Sequence, residues 1–414
     1  MPDGVARQGV RERLAWMHRE FGLAGQRVLV IIPDLTRTAP VEMFFRLLHE
    51  VSGDSVKRMD FLIALGTHPL LTTEEKLRRV GITAEEKQGR FGATRILNHR
   101  WDRPATFRRI GRIDDREMNE LSEGLLHEGV EIWINRRILD YDRILILGPV
   151  YPHEIAGFSG SGKYLFPGVC GPDFIDATHW LGALKTNRLT IGVRDTPVRA
   201  LIERAVRLVP VPVISINLVV DDGGLQGLFV GADRSAWEQA VEMSARLNVR
   251  FVDHAFRSVL SIPSTKYDDF WTGAKAFYKL EPIVADGGEL IVYAPHIRRI
   301  SRTHDHLLRR VGFHVRDYYL SHKDLFSDIR PAVLAYSSLV KGDGSYRDGK
   351  EEPRVRVVLA SAVPVALCRE LNLDAMDPRD VRVEEWENRQ AEGRAVIRNA
   401  GEVLYRVRPG GGGT

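Results

Sequence analysis

The sequence predicts an α/β protein of two domains, each a largely parallel sheet flanked by helices, with its active site in the cleft between them. Three observations predict it. Short apolar runs alternate with amphipathic stretches along the chain, the pattern of repeated strand–helix units. The pattern shifts near 250–265, where a second alternating set begins. Polar residues with chemical capacity fall at the carboxyl ends of successive strands, where open α/β sheets collect their ligands.

In the first set, 27–34 (RVLVIIPD) reads as a buried strand and 41–51 as a helix after Pro40. Strands are expected at 60–68, 131–136, 142–150, 189–193, 212–220 and 227–231. Helical patterns fit 177–186, 197–209 and 234–247, and the charged, amphipathic N-terminus is a further helix. In the second set, strand 258–264 leads to helix 268–280, strand 289–295, helix 302–312 and strand 355–361. These patterns divide the chain into domains at 1–255 and 256–408, followed by a flexible glycine-rich tail at 409–414.

Bulk properties narrow the function classes. The 414 residues carry a formal net charge of +4 with acidic and basic residues interspersed, so no basic arm for nucleic acid stands out. The mild positive balance suits a small anionic substrate. Two cysteines, Cys170 and Cys368, make neither a disulfide framework nor a CxxC knuckle and fit a reducing cytoplasm. The N-terminus lacks an apolar signal core, and no run reaches the roughly 18 apolar residues of a membrane span.

The chemistry-bearing residues gather in a few places. Asp34, Thr36 and Arg37 follow the first strand, His68 follows the second, and His153 follows the strand ending near 150. Singly, each position also suits a cap or a turn ion pair; together they point to a shared cleft. The densest segment is HEIAGFSGSGKYLFPG at 153–168. Gly157, Gly160 and Gly162 permit backbone paths closed to other residues and bring N–H groups near an anion. Lys163 adjoins them. His179 lies in a helix beside Asp176 and Thr178, either of which is placed to cap or orient it. None of these histidines has the spacing of a zinc site, so a metal here needs most of its ligands from a cofactor.

Residues 157–163 also satisfy GxxxxGK, which opens a nucleotide-binding P-loop as an alternative. Against it, Tyr164 stands where a P-loop needs Ser or Thr, and the preceding strand ends too early. A non-catalytic anion-binding relative is a third reading. Ser321, His322 and His99 have no role that the sequence settles, and the histidines at 296, 304, 306 and 314 fit no metal motif.

These residues resemble the lactate racemase family, whose members carry a nickel-pincer nucleotide. The resemblance runs over most of the chain. It rests on Asp34-Leu35-Thr36-Arg37, Gly66-Thr67-His68, the loop from Pro152-His153 to Lys163, and His179 sixteen residues later. Ser161 departs from the family's second glycine. The segment 267–297 resembles a homologue branch rather than lactate racemase itself. The resemblance implies an isomerase, a 2-hydroxyacid racemase or epimerase working by transient hydride transfer, with sugar-acid (aldonate) 2-epimerisation as the alternative.

It also implies residue roles. Lys163 holds the cofactor covalently, and His179 ligates nickel. The Asp34, Thr36 and Arg37 turn and the Gly160 and Gly162 backbone cradle its phosphate. His68 and His153 act as alternate general acid/bases. Arg37 and Lys275 hold the substrate carboxylate, with Trp271 and Thr272 beside it; Thr272 replaces the family's glutamine, and no tryptophan lies between Trp271 and Trp386. Those departures predict a substrate larger or more polar than lactate. The first domain would then bind cofactor and carry catalysis, the second would add substrate contacts, and cofactor-synthesis enzymes would be maturation partners.

Overall fold

The computed structural model describes residues 7–408. The chain groups into two compact units. The first comprises the chain up to Tyr151, Phe158–Ile175 and Arg199–Leu247. The second comprises Pro152–Gly157, Asp176–Val198 and the chain from Asn248 onward. Two stretches lying within 1–255 in the sequence, 152–157 and 176–198, thus group with the later unit. The tail at 409–414 lies outside the described residues.

The first unit is built on a six-stranded sheet in the order Gly224–Gly231, Val213–Asp221, Arg143–Pro149, Arg27–Pro33, Arg58–Ala64, Ile96–Asn98. All neighbours are parallel except the edge strand Gly224–Gly231. The central strand RVLVIIP is buried at every position after Arg27, which is why it reads as an unbroken apolar run. The helix Val41–Ser52 turns Val41, Phe44, Phe45, Leu47 and Leu48 inward at helical spacing. Phe45 meets Phe61 of the sheet with ring centroids 4.7 Å apart. Each such side chain removes roughly 1.5–3 kcal/mol of apolar surface from water. Strand Val130–Asn135 is found, but it pairs antiparallel with Phe107–Ile113 in a separate ribbon.

The second unit holds a five-stranded sheet in the order Asp374–Met376, Arg356–Ser361, Val284–Ala294, Phe256–Pro263, Arg394–Ala400, parallel throughout. Leu260, Ile291, Val358 and Ala360 pack with Trp386 on one of its faces. Val249–Val252 pairs in parallel with Leu404–Val407, joining the start and end of this segment.

Three expected elements differ. Residues 189–193 are not a strand: a helical turn Asn187–Thr190 precedes a bend at Gly192, φ 73°. Asn187 fixes that turn by donating to the Tyr278 carbonyl at 3.1 Å and to Glu281 at 2.8 Å. The helix 268–280 is two short helices, Phe270–Gly273 and Lys275–Tyr278. The helix in 302–312 starts only at Asp305, because the Ser301 hydroxyl accepts N–H bonds from Thr303 and His304 and shapes a turn first.

Candidate active site

Asp34 is the first polar residue after the central strand, and it is buried. Its Oδ1 accepts from the Thr36 amide at 3.0 Å and the Thr36 hydroxyl at 2.7 Å. Its Oδ2 stands 2.5 Å from Nδ1 of His68. Burial pushes the Asp34 carboxyl up, but the charge and hydrogen bond of His68, Thr36 and the charge of Arg37 outweigh it and hold the group well below the usual carboxylate range. Asp34 is therefore an acceptor, His68 Nδ1 the donor, and Nε2 of neutral His68 the bearer of a lone pair. His68 itself is half-buried.

The backbone that carries His68 is fixed from three sides. Gly66 takes the left-handed φ of 55° that turns the chain at the strand end, and its amide donates to the Gly168 carbonyl at 2.9 Å. The His68 amide donates to Leu65 at 2.8 Å. The His68 carbonyl accepts the Trp101 indole N–H at 2.8 Å. Trp101 went unread in the sequence, although it follows a strand end as Asp34 and His68 do. The first unit thus brings the 34–37 turn, the 66–68 turn and the 161–168 segment together.

The glycine loop is close-packed. A Cβ on Gly160 would lie 2.5 Å from Val150, and one on Gly162 would lie 2.7 Å from Val206. Ser161, at the family's glycine position, adopts φ 48°, and its hydroxyl is 2.9 Å from that of Ser215. Lys163 is half-buried in the four-residue 3₁₀ turn that follows. Its amide donates to the Gly160 carbonyl at 3.2 Å. The Ser161 and Gly162 amides head that turn, where no intrahelical acceptor exists. Tyr164 lies against Gly148, where a Cβ would fall 2.2 Å from its ring, and burial pushes its phenol up. A P-loop needs a strand running straight into the loop and a full helix after it. Here the short strands Pro152–His153 and Gly157–Phe158 intervene, and only a 3₁₀ turn follows.

In the second unit, His153 is buried and its Nδ1 accepts from the amides of Ile155 at 3.1 Å and Ala156 at 3.4 Å. Neutral His153 therefore carries its proton on Nε2, the opposite tautomer to His68. Lys279, buried and also unread in the sequence, donates to the Pro152 carbonyl just before it. His179 sits midway along the helix Pro172–Lys185. One turn on, Gly182 packs so tightly on Ile155 that a Cβ would lie 3.0 Å from it. His179 lies three residues before Gly182 on the same helix. Asp176 bonds Arg330 at 2.9 Å and the Ala332 amide at 3.1 Å.

Lys275 is buried, its ammonium 5.6 Å from the centre of the Tyr267 ring. Trp271 stacks on Tyr336 with centroids 3.5 Å apart. The Thr272 hydroxyl donates to Asp269 Oδ1 at 2.7 Å, so it stabilises the local cap. His322, just past the helix Arg316–Ser321, bonds the Tyr318 carbonyl at 2.8 Å. His99 is fully buried, accepts from Asn135 at 3.0 Å, and is pushed down to about 4 by burial. Among the described residues, no three His, Cys, Asp or Glu side chains form a group able to hold a metal ion, and no helix is long and apolar enough to cross a membrane.

Residues 17–192 match the family described as the lactate racemase N-terminal domain. The lactate racemase of Thermoanaerobacterium thermosaccharolyticum is 24% identical over 278 residues, 65% of this chain. That match spans 60% of the relative's length. A structural-genomics crystal structure from Thermotoga maritima superposes with a TM-score of 0.90 at 29% identity, covering 98% of this chain and 99% of that one. The lactate racemase apoprotein from Thermoanaerobacterium thermosaccharolyticum shares the fold, with a TM-score of 0.72 at 16% identity over 98% of this chain and 94% of that one. The chain is thus similar to the lactate racemase family, through a match to its N-terminal domain over residues 17–192, and it shares the fold of the lactate racemase apoprotein.

Proposed function

We propose that this chain is a racemase or epimerase that inverts C2 of a 2-hydroxyacid by transient hydride transfer. The observation that carries the reading is the 2.5 Å Asp34–His68 contact, which fixes an imidazole with a basic Nε2 at a strand end. A 2-hydroxyacid Cα–H is too weakly acidic for easy deprotonation. Removing the hydroxyl proton while hydride leaves Cα avoids a carbanion and gives a planar keto acid, open to return on either face.

The residues fit the family's nickel-pincer nucleotide. Lys163 offers an amine on a firmly packed loop, and the leading amides of that loop together with Thr36 and Arg37 suit a phosphate. His179 supplies a nitrogen ligand, and the lack of a further protein metal group among the described residues agrees with a cofactor that brings its own donors. When bound, that group supplies the hydride acceptor and donor. The other steps belong to the chain. His68 takes the hydroxyl proton at Nε2 in one substrate pose, while Asp34 stabilises the imidazolium and keeps its orientation. His153 serves the opposite pose: to take the hydroxyl proton at Nε2 it must give up the Ile155 and Ala156 amide bonds at Nδ1 and carry its own proton there. Arg37 and Lys275 hold the carboxylate, the guanidinium as a fork and the ammonium as a point charge. Trp271 and Thr272 border the substrate, which we read as bulkier or more polar than lactate. In this reading the segment 1–255 carries cofactor and catalysis, 256–408 adds substrate contacts, and cofactor-synthesis enzymes mature the protein in the cytoplasm.

The test is to co-produce the protein with cofactor-synthesis enzymes and measure intact mass, nickel and visible absorption. A covalent adduct on Lys163, absent from Lys163→Ala, is expected; His179→Ala should lose nickel. A panel of 2-hydroxyacids and aldonates in heavy water should show inversion without deuterium at C2. Solvent deuterium at C2, or no adduct on Lys163, would sink the proposal.

A further inference from the structure

The residues just ahead of Lys163, from Phe158 to Gly160, are tied to the interior of the first unit. Arg199, on the helix Pro197–Val206, is fully buried, and its guanidinium donates to the Phe158 carbonyl and, at 3.5 Å, to that of Gly160. Trp237, on the helix Arg234–Asn248, is equally buried and donates its indole N–H to the Ser159 carbonyl at 2.8 Å. The two side chains meet, with the guanidinium carbon 4.1 Å from the indole centre. The Ser159 amide donates to Tyr151 at 2.8 Å, and its hydroxyl accepts from the Tyr151 amide and donates to Pro149. Gly160 rests on Trp237, where a Cβ would lie 3.3 Å from the indole.

A buried guanidinium is costly. Burial pulls Arg199 down to about 10 even with Glu203 nearby to favour its charge. An apolar residue would fill the space without that cost. What it could not do is donate hydrogen bonds to the backbone carbonyls it packs against. Three successive carbonyls, those of Phe158, Ser159 and Gly160, go to this one pair. The Lys163 amide then bonds back to Gly160, so the clamp acts on the lysine through a single further hydrogen bond.

We infer that Arg199 and Trp237 are positioning residues for Lys163: by holding three consecutive loop carbonyls they fix the backbone that presents its amine. The inference rests on Lys163 as the attachment residue, a reading decided separately by the adduct on the wild-type chain. The probe is pyridoxal 5′-phosphate, a phosphate-bearing pyridine aldehyde, trapped with borohydride on the full-length apoprotein and mapped by peptide mass. Lys57, exposed on the same unit, is the internal reference. Trp237→Phe keeps the ring and removes the donor; Arg199→Lys keeps the charge and removes the fork. Both variants should lose at least ten-fold in Lys163 labelling, with Lys57 labelling and the unfolding midpoint close to wild type. Wild-type labelling of Lys163 in folded Trp237→Phe overturns the inference. Should neither variant fold, hydrogen exchange on the wild-type chain decides. The Ser159 and Lys163 amides should exchange as slowly as those of the core strand Val213–Asp221, and loop-like exchange overturns the inference equally.

Discussion

Both oxygens of Asp34 are occupied, one by the backbone and hydroxyl of Thr36 and the other by Nδ1 of His68, so a single carboxylate shapes its own turn and sets the tautomer of an imidazole just past the next strand. Asp34→Ala should therefore lower inversion by about 10²-fold or more, the usual worth of a well-placed acid–base group, while the unit stays folded. Turnover within three-fold of wild type in that variant would show that His68 does not need its carboxylate.

The two substrate poses assigned to His68 and His153 predict a division of labour visible in half-reactions. Each complete inversion uses both substrate poses, so His68→Gln and His153→Gln should each reduce inversion by roughly 10²-fold or more. In a single turnover, however, each variant should still oxidise one enantiomer, and the two variants should spare opposite ones. Chiral analysis of the remaining substrate and of the keto acid checks this. Near-normal inversion in both variants contradicts the two-histidine assignment.

Ser161 bears a left-handed backbone that glycine adopts without strain. Ser161→Gly should fold normally and retain the adduct on Lys163. Ser161→Val should lose about 1–2 kcal/mol from a β-branched residue forced to φ above zero, and lose the hydroxyl contact to Ser215 as well. Thermal unfolding and adduct mass measure the two effects. Equal stability of the valine and glycine variants would refute the strain.

His99 predicts an acid limb in stability. Folded His99 titrates near 4, against an ordinary histidine value of 6.5. Between those values the unfolded chain binds the extra proton, so stability is complete above about pH 6.5 and falls as the pH drops toward 4. The full effect is on the order of 3 kcal/mol. The unfolding free energy of His99→Gln should have a shallower slope between pH 7 and pH 4 than wild type. Parallel slopes would remove His99 from the explanation.

The central strand was easy to foresee, because RVLVIIP is apolar without interruption after Arg27. The strand ends that carry Asp34 and His68 were legible too. The segment 189–193 misled because Leu, Ile and Val suit a strand, while the side-chain bonds of Asn187, which join residues about ninety positions apart, impose a helical turn. The supports of the site were hidden for a related reason. Trp101, Lys279, Arg199 and Trp237 act by giving hydrogen bonds to the backbone of other segments. Backbone acceptors leave no mark on the identity of the residue that owns them, so no spacing or motif announces the pairing. The bond between Thr272 and Asp269 was hidden in the same way: the resemblance places Thr272 beside the substrate but says nothing of the carboxylate three residues earlier that takes its hydroxyl.

The chain passes from one compact unit to the other at 151/152, 157/158, 175/176, 198/199 and 247/248. Synthesis from the N-terminus therefore delivers the His153 loop and most of the His179 helix long before the sheet with which they group. The ribosome can complete the first sheet early, but two of the four residues proposed for chemistry have to wait for the remainder of the chain. No single cut yields two self-sufficient fragments, and a truncation at the apparent midpoint boundary would strand both histidines without their companions.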